Sequence, residues 1–318
     1  MGVGVRCGAE AAAHSCQRYI ENPDSIQKIM LKVDFRNALN TIRRDVVIRK
    51  VESIVPQALP LVWQSYSEAS FLFHGSDTLM SEEGVQQGDP LGPTLFSLAI
   101  QDIVERCQSE YNVWYLDDGT IAGEYETVLE DFKMIMSAER ETGVSISPAK
   151  CELIIIDEAN ERHGAITEEF RRIAPQIDIV DKADLRMLGA PVLPSAIDKV
   201  LEEKLLELRR MTERLKEIDA HDGLFLLRHC FAIPKLMYFL RASPCYKSDV
   251  LQLYDEEIKS SLERIINTKL TGDGWKQSSL PVKDGGLGIR SATDLSLPAF
   301  IASTHATNMT VLNTLPSS

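Results

Sequence analysis

The chain has 318 residues, 44% hydrophobic and 25% charged, with a formal net charge of −13. This is an ordinary globular composition with length for two domains or one large one, and the charge argues against broad non-specific nucleic-acid binding while leaving room for a local basic groove. No apolar run approaches the roughly 20 residues of a membrane span.

In chain order, the alanine-rich residues 8–21 predict a helix, ended by Asn22-Pro23-Asp24. Residues 27–35 predict an apolar strand that ends near Asp34. Helices follow over 38–54 and 57–67, separated by Pro56. Phe71-Leu-Phe-His and then Gly75-Ser-Asp signal a hairpin over 69–80. Residues 84–93 read as a Gly/Gln/Asp/Pro loop and 94–107 as a helix. Residues 112–122 predict strand, turn and strand, 126–141 a helix, and 151–156 another strand.

The composition shifts after Pro191 and Pro194. Residues 196–217 are highly charged, with Val200, Leu201, Leu205, Leu208, Met211 and Leu215 at helical spacing. The expectation is an α+β part over 1–193, a mainly helical part over 194–305, and a frayed tail over 306–318. Six scattered cysteines without Cys-x-x-Cys, six histidines without zinc spacing, and no apolar signal core suit an intracellular chain, nuclear or cytoplasmic. Arg6 stands where a myristoylation pattern wants Ser or Thr.

The densest chemistry lies in Trp114-Tyr115-Leu116-Asp117-Asp118-Gly119, an apolar strand that breaks on two carboxylates. Asp-Asp-Gly also makes a plain solvated turn. At a hairpin tip, however, both carboxylates can reach one small volume, where their repulsion is relieved by Mg²⁺ or Mn²⁺.

Four segments line up: Val33-Asp34-Phe35-Arg36-Asn37-Ala38-Leu39, Gly84-Val-Gln-Gln-Gly-Asp-Pro-Leu-Gly92, Tyr115-Leu-Asp-Asp118, and Gly143-Val-Ser-Ile-Ser-Pro-Ala-Lys150. In order and content they resemble the palm motifs A to D of reverse transcriptases, most closely those of non-LTR (LINE-like) retrotransposons. Arg186-Met-Leu-Gly-Ala-Pro191 resembles the primer grip, and Leu280-Pro-Val-Lys-Asp-Gly-Gly-Leu-Gly-Ile-Arg-Ser291 the helical region after the palm.

The resemblance implies an α+β polymerase palm, an antiparallel sheet with helices on one face, followed by a thumb-like region. It implies nucleotidyl transfer from dNTPs onto a DNA primer along an RNA template, with two Mg²⁺ or Mn²⁺ ions. Asp34, Asp117 and Asp118 are then the metal-binding and catalytic carboxylates. Lys150 matches the motif D lysine, a catalytic acid or charge partner for pyrophosphate. Phe35, Arg36, Ala38, Leu39, Gln87, Gly88 and Tyr115 match substrate-contacting positions. Leu39 stands where the family has an aromatic ring that excludes the ribose 2′-hydroxyl. The basic fingers, an endonuclease domain and a zinc knuckle are expected to be missing. A retroelement-derived fragment that binds without catalysing, and another two-metal phosphoryl-transfer enzyme, remain as alternatives.

Overall fold

The alanine-rich first helix, α1 (Gly8–Glu21), forms as its composition predicts and is buried all round from Ala11 to Cys16. The computed structural model describes residues 1–22, 28–156 and 162–316. Pro23 and Asp24, read as the stop after the first helix, lie outside the described residues. The described residues form two units: Met1–Gly8, Arg18–Lys182 and the segment from Asn313, and then Ala9–Gln17 with Ala183–Leu312.

The first unit is built on β1 (Ile29–Val33). Residues alternate across a strand. Ile29, Leu31 and Val33 therefore enter one hydrophobic core, while Lys32 and the following Asp34 belong to the other face. The segment predicted as one helix over 38–54 is two, α2 (Ala38–Thr41) and α3 (Arg44–Ile54). The chain extends at Ile42 and Arg43, where the Arg43 amide donates to the Thr142 carbonyl at 2.8 Å instead of continuing a helix. Helix α4 (Leu59–Tyr66) follows. The predicted hairpin forms as β2 (Ser70–His74) and β3 (Asp77–Ser81), with Phe71 and Phe73 exposed.

Helix α5 (Gly92–Arg106) carries Leu95, Phe96, Ala99, Ile100 and Ile103 into the same core. Strands β4 (Tyr111–Tyr115) and β5 (Asp118–Gly123) form the second predicted hairpin. Helices α6 (Tyr125–Ser137) and α7 (Glu139–Thr142), strand β6 (Glu152–Ile155), helix α8 (His163–Ile173) and the short β7 (Asp178–Ile179) complete the layer. The sheet runs β4-β5-β1-β6-β7, antiparallel except between β6 and β7. Phe132, Val128, Ile135 and Phe170 from α6 and α8 fill the core face. The unit is therefore α+β, with Asp34 directly after the central strand.

The second unit is mainly helical. A small hairpin, β8 (Arg186–Met187) with β9 (Ala190–Pro191), precedes α9 (Pro194–Arg214). Leu201, Leu205 and Leu208 of α9 pack with Tyr254, Ile258 and Leu262 of α12 (Val250–Ile265), which lies beyond two intervening helices. Between them come α10 (Ala220–Leu226), a π-helical turn at Leu227–Phe231, and α11 (Ile233–Ala242). The continuous stretch Ala220–Ala242 is, by length and composition alone, long and apolar enough to cross a membrane, a helix that no uninterrupted apolar run in the sequence announces. Its Leu227, Ile233, Leu236 and Leu240 are part of the second core.

Helices α13 (Gly272–Ser279) and α14 (Ala292–Thr314) follow. The tail expected to fray from residue 306 is helical to Thr314, because Thr307 and Val311 are buried. Glu10 accepts both fork bonds of Arg241 at 2.8 Å and a third from Ser303 at 2.6 Å. Burial opposes the Glu10 charge, but these donors outweigh it and hold its pKa below the usual carboxylate range.

Candidate active site

Strand β1 ends at Val33, paired with Gly119 of β5. One step further in the same antiparallel register brings Asp34 level with Asp118. Cross-strand neighbours on one face lie close enough to interact. On the other side of β5, Tyr115 pairs with Asp118 and closes a two-residue turn, Leu116-Asp117. Leu116 takes φ 56°, in the left-handed region that non-glycine residues rarely adopt. An L-residue held there costs roughly 1–2 kcal/mol, a strain that functional hairpins tolerate. The reward is geometric: the turn lifts Asp117 beside Asp118 at the tip.

The turn is braced from the core side. Trp114 stacks on Phe35 with ring centroids 5.7 Å apart, and its indole N–H donates to Asn112 at 2.7 Å. A Cβ on Gly119 would lie 2.6 Å from the Trp114 ring, so only glycine lets the ring cover this strand. Phe35 and Ala38 are 3% and 2% exposed members of the hydrophobic core. Their side chains support the site from behind. Leu39 is half-buried and packs on the same core, whereas Arg36 is exposed.

The carboxylates feel one another. Asp118 keeps an exposed surface, yet its surroundings raise its pKa: first partial burial, then the charges of Asp117 and Asp34. Lys32 and Lys150 oppose the rise without cancelling it. Asp34 Oδ1 is buried and, among the described residues, accepts no hydrogen bond, and the Lys150 ammonium stands 3.6 Å away as an ion-pair partner. Lys150 itself is 68% exposed at its side chain. Lys32 shares the Asp34 face and is held by Glu152 at 2.6 Å.

A hard divalent cation suits this set, since it needs oxygen donors and removes the repulsion that raises the Asp118 pKa. The orphaned Asp34 oxygen is a free donor for it. Among the described residues no three His, Cys, Asp or Glu side chains already stand as a closed metal-binding group.

The raised pKa has a consequence for stability. A carboxyl that binds its proton more tightly when folded stabilises the fold below the ordinary carboxylate range. That contribution is lost as pH rises through the raised pKa. Asp118→Asn is expected to raise the melting temperature at neutral pH in chelator, with the gain shrinking as the pH falls below the carboxylate range. A thermal melt of both proteins across pH checks this, and an equal gain at every pH would contradict it.

The Gly84–Gly92 loop is organised by residues that no motif singled out. The buried Arg44 of α3 donates to the Gly84 carbonyl at 3.0 Å, the Ser81 carbonyl and hydroxyl at 2.8 Å, and the Glu68 and Glu83 carbonyls at 3.3 Å. Loop amides return to the Asp34 side of the chain, Gly84 to the Ile42 carbonyl at 2.9 Å and Val85 to the Leu39 carbonyl at 2.7 Å. Asp89 accepts from the Tyr66 hydroxyl and, at 2.8 Å, from the Leu91 amide. Burial first, and then this bond to Asp89, push the Tyr66 pKa up to about 12. Gln87 and Gly88 are left exposed at the crest of the loop.

The sheet thus gathers Asp34, Asp117, Asp118, Lys150 and the half-buried Tyr115, while Phe35 and Ala38 turn inward. Lys32, Glu152 and Arg44 join them from outside the motifs; the first sits two residues before Asp34 on its face, and only that spacing hints at it.

Comparison with known proteins gives a family model described as Reverse transcriptase (RNA-dependent DNA polymerase), which matches residues 6–192, more than half of the chain. The chain is 24% identical over 300 residues to the Retrotransposable element SLACS 132 kDa protein of Trypanosoma brucei gambiense, covering 90% of this chain and 24% of that one. It is 20% identical over 285 residues to the Retrovirus-related Pol polyprotein from type-1 retrotransposable element R2 of Popillia japonica, covering 82% and 46%. It therefore spans about a quarter and about half of these curated relatives. A solved structure of telomerase from Candida albicans, in complex with a fragment of telomeric RNA, aligns with a TM-score of 0.49 at 12% identity, over 96% of this chain and 50% of that one.

Proposed function

The chain belongs to the reverse transcriptase (RNA-dependent DNA polymerase) family, and from that premise we propose that its first unit is a polymerase palm that transfers dNTPs onto a DNA primer 3′-hydroxyl along an RNA template. The observation that carries this reading is the β1–β5 register, which sets Asp34 level with Asp118 at the tip of the Tyr-Leu-Asp-Asp hairpin.

Phosphoryl transfer needs positioning and charge neutralisation more than covalent help. Asp34, Asp117 and Asp118 would hold Mg²⁺ or Mn²⁺, and two such ions, when bound, activate the attacking hydroxyl and neutralise the leaving pyrophosphate. Asp34 brings an oxygen that is desolvated and unclaimed by any hydrogen-bond donor. It follows directly on the central strand, which is paired on both sides. Lys150 holds its ammonium beside Asp34, where it offsets negative charge and has a proton to give to a departing phosphate oxygen. Tyr115 flanks Asp118 across the ladder, and the exposed Gln87-Gly88 crest is available to the incoming base and template. Leu39 in place of an aromatic ring weakens exclusion of the ribose 2′-hydroxyl. The mainly helical second unit takes the part of a thumb.

Primer extension on an RNA template with Mg²⁺ or Mn²⁺ tests the reading. The wild-type chain extends the primer, and the Asp117→Ala, Asp118→Ala double variant does not. Extension that survives the double substitution would remove the assigned site, and a folded wild-type chain that binds template but never extends would favour a non-catalytic, retroelement-derived binding module.

A further inference from the structure

The second unit contains a cavity of about 320 Å³ between the π-helical turn, α11 and the loop after α13. Its floor is apolar, formed by Ala232, Ile233, Met237 and Ile289, and its rim carries Arg228, His229 and Arg290. The volume is near the low end of small-ligand clefts. π-helical turns are rare and frequently mark functional positions; here the turn is what puts Arg228 and His229 on the cavity.

Arg228 is set in place by the opposite wall. A Cβ on Gly288 would lie 2.8 Å from Arg228 Nε, and Gly288 has φ +70°. The guanidinium therefore packs closely on Gly288, where a side chain would have to displace it and where the backbone favours glycine. The loop is pinned by the Gly288 amide on the Leu280 carbonyl at 2.8 Å and the Ile289 amide on the Ser278 carbonyl at 3.2 Å. Among the described residues neither Arg228 nor Arg290 has an ion-pair or hydrogen-bond partner. The acid closest in bonding to this loop, Asp255, is already committed to Ser291 Oγ at 2.7 Å and the Ala292 and Thr293 amides at 2.6 and 3.1 Å. In a chain of net charge −13, two unneutralised guanidinium forks over an apolar floor call for a ligand with an anionic group and a flat apolar body.

We propose that this cavity takes one unstacked nucleotide of a single-stranded RNA, its base on the apolar floor and its phosphate on Arg228 and Arg290. The proposal rests on the polymerase reading, which supplies single-stranded template to the protein. Single-stranded RNA is recognised through splayed bases stacked on side chains, including arginine planes. A duplex keeps its bases inside and offers no splayed base to the cavity floor.

The experiment uses the full chain and a short RNA bearing 4-thiouridine. Irradiation is expected to cross-link the RNA to the peptides that carry His229 or Met237. In fluorescence anisotropy, Arg228→Gln with Arg290→Gln should weaken single-stranded RNA binding about tenfold. It should also flatten the salt dependence by about 0.7 for each phosphate that is no longer neutralised. Gly288→Ala, which keeps both charges but displaces the Arg228 fork, should weaken binding as well, with each variant's melting temperature confirming its fold. Unchanged affinity and salt slope in both variants, cross-links only outside the cavity, or binding of an acidic apolar peptide there in place of RNA would overturn the proposal. These readouts report binding, so a failure of polymerisation at Asp117 and Asp118 leaves them intact and is told apart.

Discussion

Asp34→Ala is expected to lower primer extension by at least about 10³-fold, corresponding to about 4 kcal/mol of transition-state stabilisation, while the protein stays folded. The unusual part is the second half. Most substitutions on a central strand destabilise, but Asp34 Oδ1 accepts no hydrogen bond that would be lost. Its ion pair to Lys150 at 3.6 Å involves a side chain that is 68% exposed, and exposed pairs contribute roughly 0–1 kcal/mol. Removing the carboxylate also relieves Asp118 of one of the charges that raise its pKa. The metal-free variant should therefore melt within a few degrees of wild type, or slightly above it, and lose most of its Mn²⁺-induced thermal shift. A large fall in metal-free stability would mean that Asp34 is a structural residue. Retained extension would remove it from the site.

Arg44→Met is expected to do the opposite, destabilising the first unit without touching the carboxylates. The guanidinium has five N–H donors, and all five find acceptors on the segment from Glu68 to Gly84. Arg44 is 7% exposed, and burial lowers its pKa against the opposing pull of Tyr66 and Glu83. Truncation strands several buried carbonyls, at a cost of about 3–5 kcal/mol, a large share of the roughly 5–15 kcal/mol that holds a domain folded. Chemical denaturation measures that loss. Hydrogen exchange should show the Gly84–Gly92 loop opening first, since Gly84 and Val85 tie it to the chain after Asp34. Arg44→Lys should recover only part of the stability, because an ammonium cannot reproduce the fork. A cost under about 1 kcal/mol would refute this role.

The contrast between Asp34 and Arg44 also marks what is legible in this sequence. Strand β1, both hairpins, the loop before α5 and the helices with apolar spacing are announced by local patterns, and those patterns place Asp34 and Asp117-Asp118 at strand ends. Arg44 is invisible to such patterns, since its acceptors are mostly backbone oxygens, contributed 24 to 40 residues away. Tyr66 on Asp89 and Lys32 on Glu152 are hidden for the same reason. Phe35 and Ala38 flank a catalytic-type aspartate in sequence, but strand alternation and the turn into α2 send them to the core. The cavity at Arg228 is built from segments some 50 residues apart, and the second of them, around Gly288, reads by itself as a turn.

The central claim is that Asp34, Asp117 and Asp118 hold divalent cations for nucleotidyl transfer. The measurement that tests it most directly is a Mn²⁺ titration of the chain with primer, RNA template and dNTP, counting bound ions by electron paramagnetic resonance. Two ions in the wild-type chain, lost on Asp34→Ala, are predicted; a chain that binds none under these conditions, or whose bound Mn²⁺ is unchanged by Asp34→Ala, would contradict it.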